Sequence, residues 1–230
     1  MSIRIQTIKL SKKFKTHIAL DEIDIEINRP QCIGLIGENG AGKSTLLRLL
    51  SGADFPSSGA VLINGNSKVC NKEKLKAMIG YSPEYPPIYP DMCVEEYMMW
   101  IAQMQRVTDY SCVEGVLKGL ELWEVRSRQI GSLSKGLKQR VGFAQAWIHD
   151  PRIVLLDEPT SSLDPHQQQI VLNWIRQHAP QKIVILSSHQ LGDLHTVCDR
   201  IIILKKGKMV LDMTADDIRQ NNIELADFFR

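Results

Sequence analysis

No stretch of this 230-residue sequence reaches the roughly 20 consecutive apolar residues that a membrane-crossing helix needs. The opening Met1-Ser2-Ile3-Arg4 leads into no apolar signal core either. The chain is therefore expected to be soluble by itself and to stay in the cytoplasm. Charge of one sign is also missing: 28 basic residues stand against 26 acidic ones, a formal net charge of +2. That balance gives no field suited to a nucleic-acid backbone, and no nucleic-acid partner is expected. The basic cluster Lys12, Lys13, Lys15 reads as solvated surface. Cysteine is sparse and scattered: Cys32, Cys70, Cys93, Cys112 and Cys198 lack the close spacing of a zinc knuckle or redox couple. They are expected as reduced, mostly packed thiols. Internal repeats, low-complexity tracts and heptad runs are absent, so the length predicts one compact unit with an inserted subdomain.

What is present is a recurrence of Ile, Val and Leu at residues 3–10, 20–27, 32–36, 60–63, 153–156, 183–186 and 201–204, most of which read as strands. The runs at 32, 153 and 183 are nearly continuous, as in strands buried on both faces of a parallel sheet. The first segments alternate instead, like a half-exposed antiparallel layer. From about Pro83 to Leu133 the character turns helical, with Val94, Tyr97, Met98, Ile101 and Met104 on one face. The Pro-rich run Tyr85-Pro86-Pro87-Ile88-Tyr89-Pro90 before it reads as a stiff surface loop.

Residues Gly37, Glu38, Asn39, Gly40, Ala41, Gly42, Lys43 and Ser44 form a complete P-loop pattern between the buried strand ending at Ile36 and a helix opening at Thr45. Glycines let successive backbone N–H groups close on phosphate oxygens, and the helix adds its positive end. Lys43 is expected to reach the β- and γ-phosphates, and Ser44 to offer its hydroxyl to Mg²⁺. Four apolar residues then carry Asp157 and Glu158 to the end of a buried strand, where doubly wound sheets bind ligands. Asp157 suits Mg²⁺ through its water shell, and Glu158 can face a water attacking the γ-phosphate.

Leu133-Ser134-Lys135-Gly136-Leu137-Lys138-Gln139-Arg140, placed ahead of Asp157-Glu158, resembles the signature motif of the ATP-binding domains of ABC transporters. In physical terms it is a Ser and a Gly before a helix expected to run to about His149, so Ser134 and the Gly136 N–H make a second anion site. The resemblance implies an α/β fold: a P-loop NTPase core with a mainly parallel sheet, an N-terminal antiparallel β layer and an inserted α-helical subdomain. Residues 1–83 and 134–230 would be the catalytic core and about 84–133 the insert. It further implies that Ser134 and Gly136 cover the γ-phosphate held by a facing subunit, with ATP between two copies, or between this chain and a paralogue, arranged head to tail.

Phe14 lies where that family stacks an aromatic on adenine, though ordinary packing would also explain it. Ser161-Ser162-Leu163-Asp164 resembles the loop through which Asp164 links the two sites, and it also reads as a capping turn before Pro165. His189 resembles the histidine that contacts the γ-phosphate. One position departs from the pattern: Glu84 stands where Gln is usual, bringing a carboxylate to the metal end of the site. Glu84 is similar to bacterial ABC-2 type exporter ATPases.

The resemblance thus implies a MgATP-hydrolysing motor on the cytoplasmic membrane face, with Lys43, Glu158 and His189 at the reacting phosphate. It would drive an integral membrane permease docked near residues 85–92 and the methionines Met98, Met99 and Met104, which equally read as core filler. An importer subunit and a soluble ABC ATPase acting on ribosomes or DNA are the alternatives. Against import stands the short tail after the helix-like segment 214–220.

Overall fold

The computed structural model describes residues 3–67, 72–189 and 196–229. Cys70 lies outside them. In chain order the elements are β1 (Ile5–Phe14), β2 (His17–Ile23), β3 (Glu26–Ile27), β4 (Gln31–Ile36), α1 (Lys43–Ser51), β5 (Ser58–Ile63), β6 (Asn66–Ser67), α2 (Lys72–Met78) and β7 (Ile79–Ser82). There follow α3 (Val94–Met104), α4 (Ser111–Gly119), α5 (Lys135–Gln145), β8 (Ile153–Leu156), α6 (Pro165–His178), β9 (Ile183–Ser188), β10 (Arg200–Lys205), β11 (Lys208–Thr214) and α7 (Ala215–Gln220).

Two sheets result. The first runs β2-β1-β5-β6 with β3 also on β1, all antiparallel. The second runs β11-β10-β4-β9-β8-β7, parallel except for the edge strand β11. The period-2 geometry of strands explains why the buried runs at residues 32–36, 153–156 and 183–186 of β4, β8 and β9 are almost continuously apolar. Ile33, Leu35, Ile153, Leu155, Ile183 and Ile185 point to a core shared with α1 and the antiparallel layer. Their neighbours Cys32, Ile36, Val154, Leu156, Val184 and Leu186 point to the opposite core, shared with α3, α4, α5 and α6. The inserted helices therefore pack into the same apolar body as one face of the sheet.

Strand β11 was not among the apolar runs of the sequence. It follows β10 through Lys206 and Gly207, whose φ values of 49° and 78° form the left-handed turn of a tight hairpin. The helix expected to reach His149 stops at Gln145. There Ala146 N–H and Trp147 N–H turn back to Phe143 and Ala144 carbonyls, and Gly80 of β7 approaches so closely that a Cβ would lie 1.8 Å from the Ala146 carbonyl oxygen. In α3 the buried face is Val94, Tyr97, Met98 and Ala102, while Met104 is 66% exposed. The three methionines divide accordingly: Met98 is core, Met99 is partly buried, Met104 faces solvent.

Cys32 and Cys198, 166 positions apart, bring their thiols to 3.9 Å inside the core. Their mutual hydrogen bond, burial and nearby Asp199 hold the Cys32 thiol well above its ordinary pKa, so it stays protonated and poorly nucleophilic.

Helix α4 contains two glycines in opposite settings. A Cβ at Gly119 would meet Trp174 Cζ3 of α6 at 2.1 Å, whereas one at Gly115 meets nothing within 4 Å. Gly119→Ala should destabilise the fold by about 1–3 kcal/mol through overpacking, and Gly115→Ala should stabilise it by up to about 1 kcal/mol. Urea unfolding of the two variants checks this; equal effects at both positions would contradict it.

Candidate functional site

The carboxyl ends of β4, β8 and β9 open into one cavity of about 490 Å³. The sequence builds its floor by reversing the chain sharply after β4. Gly40 and Gly42 adopt φ of 81° and 107°, a region that other residues enter only at a cost. Gly42 also cannot carry a side chain, because a Cβ there would lie 2.5 Å from the Ala19 carbonyl oxygen. Helix α1 then starts at Lys43, and its first residues Lys43, Ser44 and Thr45 line the cavity.

Lys43 is buried, and its Nζ donates to the carbonyls of Gly37 (2.7 Å) and Glu38 (3.2 Å). It also stands 3.6 Å from Glu158 Oε1. Glu158 is a non-glycine residue with φ 48°, a left-handed conformation of the kind that concentrates at functional positions. It is fixed from two directions: its N–H donates to Ser187 Oγ (2.8 Å), and its Oε2 lies 2.8 Å from His189 Nδ1. Ser187 Oγ donates in turn to Asp157 Oδ1 (2.7 Å), which also accepts from Ser44 Oγ (3.1 Å). Burial raises the Asp157 pKa above its ordinary value; the hydroxyls of Ser187 and Ser44 oppose that rise, and the charges of Glu158 and Glu84 add to it. The Tyr81 hydroxyl behind it is pushed up to about 12, first by burial and then by Asp157.

The cavity gathers Phe14, Glu38, Asn39, Gly40, Ala41, Gly42, Lys43, Ser44, Thr45, Glu84, Glu158 and His189. Gly37 joins through Lys43, and Asp157 through Ser44. Ser134, Gly136 and Asp164 do not line it. Ser134 Oγ caps α5 by accepting from Leu137 N–H (3.3 Å), and Asp164 Oδ1 caps α6 by accepting from Gln167 N–H (2.9 Å). These two helix starts touch, since a Cβ on Gly136 would lie 2.0 Å from Gln167 Oε1. One chain thus carries two separate groupings of the expected residues. Sequence reasoning overlooked Ser187, which joins Asp157 to Glu158, as well as His17 and Ala19 on the cavity wall. Two serines ending an otherwise apolar buried strand were the available signal for Ser187.

No helix among the described residues is long and apolar enough to cross a membrane. Nor does any group of three His, Cys, Asp or Glu side chains among them form a metal cluster.

Comparison with known proteins bears on this arrangement. The model of a family described as ABC transporter matches residues 20–161, more than half of the chain. An uncharacterized ABC transporter ATP-binding protein of Bacillus subtilis, YxlF, is 34% identical over 92% of this chain and 71% of its own length. The bacitracin transport ATP-binding protein BcrA of Bacillus licheniformis is 30% identical over 99% of this chain and 75% of its own. Among solved structures, an ATP-binding subunit of an ABC transporter superposes with a TM-score of 0.87 at 28% identity, covering 98% of this chain and 97% of that one. A dimeric ATP-binding cassette bound to ADP and Pi shares the fold, with a TM-score of 0.85 at 22% identity over 92% and 98% of the two chains. The glycine-containing loop after β4, the sheet order and these likenesses agree, and the chain belongs to the ABC transporter family as one of its ATP-binding subunits.

Proposed function

We propose that this chain is the ATP-hydrolysing motor of an exporter, working as a head-to-tail dimer beneath a separate membrane-spanning permease. The observation that carries the reading is the continuous chain Ser44–Asp157–Ser187–Glu158–His189 at the P-loop, with Lys43 against Glu158. Lys43 is positioned to exchange its bonds with the Gly37 and Glu38 carbonyls for phosphate oxygens. Glu158 holds the attacking water in line with the γ-phosphate, and His189 orients the Glu158 carboxylate from Nδ1. Glu38, Asn39, Gly40, Ala41, Gly42 and Thr45 wrap the phosphates, and Phe14 stacks on the base.

The donor set fits Mg²⁺: the Ser44 hydroxyl and the carboxylates of Asp157 and Glu84 are hard oxygen ligands at one end of the cavity. The bound cation would neutralise developing phosphate charge. With no cluster of three protein ligands among the described residues, substrate oxygens and water would complete its shell.

The separation of Ser134, Gly136 and Asp164 from the cavity supports a second copy. In this reading the partner's Ser134 and the partner's Gly136 close over the γ-phosphate while Asp164 bridges the two sites. BcrA, named for bacitracin transport, supports a transport motor, and a Nod factor export ATP-binding protein of Cupriavidus metallidurans that is 28% identical over 92% of this chain and 71% of its own length supports export. Residues 84–133 would transmit closure to the permease at the cytoplasmic face of the membrane, with residues 1–83 and 134–230 as the catalytic core.

Purifying Glu158→Gln with MgATP from its native membranes should recover a polytopic membrane protein; ribosomal or nucleic-acid proteins alone would overturn the reading. The same substitution should cut phosphate release about 10²- to 10⁴-fold while ATP drives dimer formation in light scattering, and an ATP-loaded species that stays monomeric would contradict the shared site. Asp157 gives a pH test. Its raised folded pKa means that ionised Asp157 costs the fold stability at neutral pH, a cost that disappears as pH falls below the unfolded carboxylate pKa of about 3.9. Asp157→Asn should therefore raise Tm at pH 7, and the gain should fade on acidification; a Tm lowered at neutral pH would refute this balance.

A further inference from the structure

A second cavity, of about 630 Å³ against about 490 Å³ for the first, lies at the other end of the parallel sheet. Gln31 and Cys32 at the start of β4 and Asp199 just before β10 are on its walls. It therefore opens at the amino end of β4, whose carboxyl end carries the phosphate loop. The six residues of β4 set the two cavities about 20 Å apart. A space of this size accommodates a small organic ligand.

Three arginines come to this cavity from three different elements: Arg29 from the segment before β4, Arg176 from the last turn of α6 and Arg219 from α7. None is committed to a buried partner. The Arg29 side chain has no hydrogen bond or ion pair among the described residues. Arg176 spends one N–H on Asn173 Oδ1 (2.8 Å) and keeps the rest of its fork. Arg219 meets Asp216 Oδ1 at 2.7 Å in a pair whose side chains are 68% and 76% exposed, so water screens it. The acidic residues of the lining are Asp199 and Asp216, and Asp199 Oδ2 already accepts from Cys32 N–H (2.8 Å). Gln31 is an independent sign of an occupant. It is only 9% exposed, yet its side-chain amide has no hydrogen bond among the described residues, and a buried amide left unpaired is costly.

We propose that this cavity is a second ligand site, separate from the nucleotide pocket, for a ligand recognised by its phosphoryl group. Arginine forks bond phosphoryl oxygens in pairs. A tetrahedral phosphoryl group offers three peripheral oxygens to forks arriving from three elements, whereas a single fork saturates a planar carboxylate. The Gln31 amide adds a neutral partner at the floor. No residue of the P-loop contributes to this site, so it stands apart from the nucleotide reading.

Amide NMR of the full chain titrated with inorganic pyrophosphate tests the site, because Gln31, Cys32, Asp199 and Ala215 report it separately from Gly40 and Gly42 at the P-loop. The first group should titrate. Arg29→Ala and Arg176→Ala should each weaken the binding it reports about tenfold, with the constant read at Gly40 and Gly42 unchanged. Arg106→Ala, which removes an exposed guanidinium outside the cavity, should change neither. Shifts confined to the P-loop, or cavity shifts that survive both substitutions, would overturn the proposal. So would an equal loss in Arg106→Ala, by showing diffuse surface charge in place of a site. Citrate binding more tightly than pyrophosphate at the cavity resonances would overturn the phosphoryl assignment. Sedimentation with vesicles of phosphatidic acid in phosphatidylcholine decides the source: pelleting that Arg29→Ala abolishes assigns a lipid headgroup, and no pelleting assigns a free phosphorylated compound.

Discussion

The register of β8 against β9 is the constraint on which the site depends. Leu155 and Leu156 lie opposite Ile185 and Leu186, so the next residues along the two chains, Asp157 and Ser187, come side by side and share a hydrogen bond. A slip of one residue would send each side chain to the other face of the sheet and break every link from Ser44 to His189. The register is protected because both faces are buried. Each strand alternates between two different apolar cores, and a slipped strand would fit neither. The geometry of this polar network is therefore held by the hydrophobic contacts of these two strands, which lie outside the cavity.

Polar groups at the strand ends satisfy one another in sequence. Asp157 loses solvation by burial but accepts hydrogen bonds from two hydroxyls; Glu158 loses its ordinary backbone conformation but gains Ser187, His189 and Lys43. Breaking such a network in part leaves its remaining buried polar groups unpaired. The same reasoning applies at the two helix starts, where Ser134 and Asp164 serve their own chain as caps. A cap needs only one lone pair of the side-chain oxygen, so capping and contact with a facing subunit are compatible roles.

Much of this was legible in the sequence because the signals were local. The P-loop pattern sets Gly37, Gly40 and Gly42 just ahead of Lys43 and Ser44, and a strand covered on both sides is apolar over most of its length, so the Ile, Leu and Val runs of β4, β8 and β9 were readable. The N-terminal strands alternated as an antiparallel layer should. What escaped depended on distant contacts. Strand β11 escaped because its partly buried Met209, Leu211 and Met213 are separated by Lys208, the exposed Val210 and Asp212 and lie on an edge. The end of α5 is set by the approach of Gly80 from another strand. Helical period puts Met104 on one face with Val94, Tyr97 and Met98, yet burial follows the neighbours available, and Ala102 is the residue that faces them. The meeting of Cys32 with Cys198, and of His17 with the phosphate loop, is likewise a property of the sheet pairing rather than of any short motif.

Helix α6 starts at Asp164 beside the signature segment and carries Trp174 near its other end, against Gly119 of α4. Trp174 also meets Trp147 edge-on at 6.1 Å and stacks on His178 at 4.0 Å, so its indole is walled in on several sides. Positions 119 and 174 consequently cannot diverge independently. A descendant of this chain could acquire a side chain at 119 only after the indole at 174 had been replaced by something smaller, and the reverse order would strand it in a poorly folded intermediate. The path of sequence change through this part of the protein is therefore directional, with the large residue obliged to yield first.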